Sequence, residues 1–194
     1  MEREALTEDT TRPLSLPLLL LATGTLFAFG VLGYALGGQP QAREFMESLA
    51  ATLSPLREMS TAGLMLLIFV NNAVKAGLVV LLGVFLGLPP FIFLATNGLV
   101  VGVATYQVAA ERGLGFVLAG LVPHGVVEVP ALLAATALGL GMGVEVSRWM
   151  VRRPSRVRRR LGRSLRIYLF YVAPALALAA AIEVLVTPLL LGRL

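Results

Sequence analysis

Five apolar blocks, each long enough to cross a bilayer as a helix, set the first limit on what this chain can fold into. They occupy residues 14–36, 61–86, 90–110, 113–143 and 167–191. A hydrocarbon core of about 30 Å needs about 20 helical residues at roughly 1.5 Å each, and every block meets that length. Barrel strands would be about 10 residues long with strict in/out alternation, which these runs lack. The expected fold is therefore all-α: one polytopic membrane helix bundle over residues 1–194 with about five transmembrane helices. A mean hydropathy of +0.85 and 57% hydrophobic residues exclude an ordinary soluble domain.

The segment before the first block, Met1–Pro13, carries four acidic residues against two arginines, unlike the basic flank of a cleaved signal peptide. A retained first span is expected. The absence of cysteine excludes disulfides, thiolate-ligated zinc and cysteine nucleophiles. Nine of the chain's arginines fall in Arg148–Arg166, so the net charge of +5 is concentrated, not spread. In a soluble protein such a run would suggest nucleic acid. Between two spans, the positive-inside rule accounts for it, with anionic membrane lipids as an added partner and no nucleic acid. Trp149 and Tyr168 flank the run in positions suited to interfacial anchors.

A cytoplasmic loop at 144–166 then places the N-terminus inside and the C-terminus outside a multi-pass cell-membrane protein. Residues 37–60 become an external surface segment, with Phe45, Leu49, Leu53 and Leu56 at helical spacing. Leu88–Pro89 is nearly the whole connection between the second and third spans. The fourth block contains Gly115, Gly120, Pro123, Gly125 and Pro130. A kink or break is expected near Pro123–Gly125, since proline lacks a backbone donor and glycine loosens the ladder.

Polar residues interrupt the apolar blocks where lipid would penalise them. Asn71, Asn72 and Lys75 lie in the second, Asn97 in the third, His124 and Glu128 in the fourth, and Glu183 in the last. A charge at that depth costs roughly 3 kcal/mol or more unless paired or hydrated. Asn71 and Lys75 share a helix face, as do His124 and Glu128. The expected arrangement turns Lys75 toward Glu128 or Glu183 and brings Asn71, Asn72, Asn97, His124 and Glu128 to a common centre of spans two, three and four. For the asparagines, hydrogen-bonded packing is the plainer explanation; three charges are expensive for packing alone. His124 with Glu128 fits a proton relay, half a metal site or a locked kink.

Catalytic patterns are missing: there is no HExxH, no GxSxG, no second histidine and no phosphate-cradling glycine loop. No catalytic residue, resident metal or cofactor is therefore expected. Glycines recur four apart at Gly33 and Gly37, Gly83 and Gly87, Gly98 and Gly102, and Gly139 and Gly143. Together with Gly125 they are expected to let helix backbones approach closely, with one pair available for a dimer contact.

The segments FVNN at Phe69–Asn72, NG at Asn97–Gly98, PHGVVE at Pro123–Glu128 and IEVLVTP at Ile182–Pro188 resemble the stage II sporulation protein M family. The resemblance covers most of the chain from the second span onward. It implies a membrane protein of about five helices and, by analogy with the namesake, an anchor for peptidoglycan-degrading partners during forespore engulfment. The leading expectation is a non-enzymatic membrane scaffold that forms a homo-oligomer (dimer) or assembles with other membrane proteins. The alternative is a transporter or channel that moves protons, ions or a polar lipid headgroup past Lys75, His124, Glu128 and Glu183.

Overall fold

The computed structural model describes residues 14–192. Met1–Pro13 and the last two residues, 193 and 194, lie outside the described residues, as does the reading of the N-terminal flank. Helix α1 (Leu16–Leu36) leads through the short helix α2 (Pro40–Leu53) and a 3-10 turn (Ser54–Glu58) into α3 (Thr61–Leu82). Helix α4 (Leu88–Met150) is followed by α5 (Val157–Ile167), a π turn (Tyr168–Val172), α6 (Ala173–Leu185) and α7 (Thr187–Leu191). No strand occurs among the described residues. Four helical stretches are long and apolar enough to cross a membrane: α1, α3, α4 and the continuous run Val157–Leu191.

Helix α4 folds back on itself. At Gly113 the backbone leaves the helix with φ 82° and ψ 163°, a conformation essentially restricted to glycine. Val101 and Leu121 then line one cleft, while Pro90 packs beside Gly139, so the arms 88–112 and 114–150 run antiparallel. Each arm exceeds the length of a span, and five membrane helices result. The break expected near Pro123–Gly125 is not there: both Pro123 and Pro130 lie within helix. The reversal at Gly113 instead falls between the third and fourth apolar blocks, where their bounds at 110 and 113 put a turn and where the exposed Glu111 and Arg112 supply a polar end. A reversal needs a polar end and a residue free to take positive φ, whereas Pro123 lies within the fourth span and lacks only a backbone donor.

The turn between α3 and α4 also falls earlier than Leu88–Pro89. It spans residues 83–87, with Leu86 at φ 57° and Gly87 at φ 76°. Proline suits the first helical turn, where amide donors have no intrahelical partner, so Pro89 and Pro90 open α4 instead of ending a loop. At the start of α3 the Ser60 hydroxyl accepts from the Gly63 amide at 3.2 Å, an ordinary N-cap. The basic loop is shorter than 144–166, since helix continues to Met150 and resumes at Val157. The π turn precedes Pro174, whose missing donor disturbs the regular ladder.

Glycine pairs bring the helices together within the chain. A methyl at Gly98 would meet the Leu26 carbonyl, and one at Gly102 the Gly30 carbonyl, so α1 lies along the 88–112 arm in parallel. Gly83 and Gly139 face each other, and Gly143 faces the Leu86–Gly87 backbone, joining α3 to the 114–150 arm. Gly125 is the exception: a methyl there would meet nothing within 4 Å, so it performs no close packing. The deepest apolar cluster, Ala76, Val80, Ala131, Ala135, Leu138, Val172 and Leu176, lies between α3, the 114–150 arm and the last helices.

These contacts define two ends. The start of α1, the 83–87 turn and the basic loop share one end, where Leu18, Leu86, Arg148 and Arg153 line a common cleft. Gly37 beside Tyr106, the Gly113 reversal and Leu191 beside Gly120 share the other. The expected helix forms within the surface segment as α2, and none of its residues is buried.

Candidate polar site within the membrane helices

Three helices supply the site. From α3, the Asn72 amide donates to Glu128 Oε1 at 2.9 Å. Asn71 donates to Asn72 Oδ1 at 3.1 Å, so one asparagine orients the other. The 114–150 arm contributes Glu128 and, one turn earlier, His124, whose Nε2 lies 4.0 Å from Glu128 Oε2. Glu183 arrives from α6. One potential ligand atom from each of His124, Glu128 and Glu183 lies within 4.8 Å of the others, and all three side chains are partly buried. His124 and Glu128 are 15% and 19% exposed, so the site is enclosed without being sealed. His124 Nδ1 is buried and has no hydrogen-bond partner.

Two of the expected members stand elsewhere. Lys75 is exposed on the outer face of α3 and forms no ion pair among the described residues, instead of reaching Glu128 or Glu183. Asn72 takes the inward position toward Glu128, while Lys75 stands with Asn71, one turn before it, on the exposed side of α3. Asn97 donates to the carbonyl of Phe93, in its own helix, at 2.7 Å. It lies on the arm that packs against α1, so the third span is not part of the centre and the last span takes its place. Tyr168 also turns inward, donating to the Ala73 carbonyl at 2.7 Å with its ring against Gly77, while Trp149 stays exposed.

A second polar centre escaped the sequence reading. Glu145, near the end of the 114–150 arm, is 4% exposed and Arg160 of α5 is 5% exposed. Glu145 Oε1 lies 3.4 Å from Arg148 Nη1 and 3.8 Å from Arg160 Nη1, and Oε2 accepts from the Arg156 amide at 2.8 Å. The Arg160 guanidinium lies against Gly141, where a methyl would collide with it. One carboxylate thus ties the basic loop and α5 to the bundle. The signal was present: Glu145 is the one acid in residues 144–166.

The family model described as "Stage II sporulation protein M" matches residues 18–188, extending the likeness through the first span. No curated protein and no solved structure matches the chain. The matched region takes in every membrane helix and all four residues of the polar site, and the chain belongs to the stage II sporulation protein M family.

Proposed function

We propose that this multi-pass membrane protein is a non-enzymatic assembly protein and that the outer face of α3 is the surface it offers. The supporting observation is Lys75, exposed near the middle of a span with no acidic partner among the described residues. Asn71 is exposed one turn before it, and Leu67, Val74, Leu78 and Leu82 continue the same exposed stripe. Lipid is a poor environment for an ammonium group, whereas a polar group on another helix satisfies it. Interhelical hydrogen bonds to asparagine are worth about 0.6 kcal/mol on average, so apolar packing along the stripe supplies the rest. The occupant is a second copy or another membrane protein. Replacing Asn71 and Lys75 together by leucine should reduce the size of the complex extracted from native membranes while leaving helix content unchanged. A complex of unaltered size would remove the basis for this surface.

A transport role draws on a different observation, the partly open His124–Glu128–Glu183 group. Flux of protons or ions in proteoliposomes that is lost on Glu128→Gln would favour it over assembly alone. For orientation, the basic loop is placed in the cytoplasm by its arginines, with the N-terminus inside and the C-terminus outside. At that end Trp149, Arg156, Arg158 and Arg159 line a cleft of about 780 Å³, suited to the headgroup of an anionic lipid.

A further inference from the structure

We propose that His124, Glu128 and Glu183 form a binding site for a divalent transition-metal ion. Two carboxylates face one imidazole, with ligand atoms from all three within 4.8 Å of one another. Neither carboxylate forms an ion pair with a lysine or arginine among the described residues; the His124 imidazole lies 4.0 Å from Glu128 Oε2. Two carboxylates ionised at bilayer depth are stabilised by a bound cation, and Lys75 is turned away.

The imidazole supplies the independent observation. Nδ1 is enclosed and makes no hydrogen bond, and Nε2 at 4.0 Å from Glu128 Oε2 is beyond hydrogen-bonding distance. A histidine that is mostly buried and bonded through neither nitrogen is available as a ligand. Asn72, held by Asn71, occupies Glu128 Oε1 and leaves Oε2 facing His124. Outer hydrogen bonds of this kind orient carboxylate ligands at metal centres.

One nitrogen and two oxygens suit Zn²⁺ or Mn²⁺ better than Mg²⁺ or Ca²⁺, which prefer oxygen alone. Tetrahedral zinc with bonds of about 2.0–2.1 Å sets its ligands roughly 3.3 Å apart, so side-chain adjustments of about 1–2 Å close the site. Three protein ligands leave a position for water or another donor. Glu183 lies far along the chain from His124 and Glu128, so the bound ion would brace the last span against the 114–150 arm. This inference is independent of the α3 surface.

His124 is the chain's single histidine, which makes a direct test available on unmodified protein without a polyhistidine tag. In detergent, after chelator treatment, Zn²⁺ should bind at one ion per chain, raise the melting temperature reversibly with EDTA, and protect His124 from carbethoxylation. Glu183→Gln should weaken Zn²⁺ binding more than 100-fold, and Asn72→Ala about 10–100-fold. Lys75→Ala should leave it unchanged. Absence of Zn²⁺ and Mn²⁺ binding at micromolar concentration would overturn the proposal. Binding that leaves His124 fully reactive would overturn it equally, and neither readout depends on a variant folding.

Discussion

Glu145 shows how much one side chain can carry. It is buried against Arg160 and accepts the amide that opens α5, so removing its charge takes a carboxylate partner from a buried guanidinium. Breaking a buried pair in this way costs about 3–5 kcal/mol. Glu145→Gln should therefore lower the unfolding free energy in detergent by about that amount, against little change for Glu44→Gln on exposed α2; equal stability of the two variants would contradict the pairing. Asn72 and Lys75 make the opposite point about legibility. Both were visible as polar residues in an apolar run, but they lie only about 60° apart around the helix, and the edge of the packed face falls between them. Which face is inward depends on neighbouring helices, and no residue of α3 announces it. His124 and Glu128 were readable as a pair because four residues make one turn. Glu183 was joined to them only in the transport alternative, because no helical spacing links it to them and their meeting is made by tertiary packing.

At the scale of elements, the apolar blocks gave good span positions because hydrocarbon thickness constrains length directly. Proline misled in two places: Pro89 lies in the first turn of α4 and not in the loop before it, and Pro123 and Pro130 are carried inside a helix. The reversal at Gly113 came where the third and fourth blocks meet, and only its positive φ was invisible to hydropathy. The glycine pairs were legible as packing surfaces, although spacing did not say which helix each would meet or separate Gly125 from the others. Gly102 and Gly24 make a direct comparison. A methyl at Gly102 would strike the α1 backbone, whereas Gly24 has open space around it. Gly102→Ala should lower the melting temperature by separating α1 from the 88–112 arm. Gly24→Ala should leave it unchanged or raise it slightly, since alanine favours helix by up to about 1 kcal/mol. Equal melting temperatures would contradict the close α1 packing.

For the whole molecule, alternation of five helices places the basic loop and the beginning of α1 at one end and the Gly113 reversal at the other. Ser155→Cys, in a chain without native cysteine, should be labelled by a membrane-impermeant maleimide only after the cytoplasmic face is exposed; labelling of intact cells would reverse the proposed orientation. The interior accounts for most of the glycines and for the Asn72–Glu128–His124–Glu183 group, which leaves the outer stripe of α3 as the polar surface unexplained by the fold. Whether this stripe mediates assembly can be read from oxidative cross-linking of a single Leu78→Cys variant in native membranes. A cross-linked species is expected, either a dimer of this chain or a complex with another membrane protein's cysteine, and it should be lost when Asn71 and Lys75 are replaced by leucine. Leu78→Cys that remains monomeric, with Leu67→Cys and Leu82→Cys behaving alike, would show a stripe that faces only lipid.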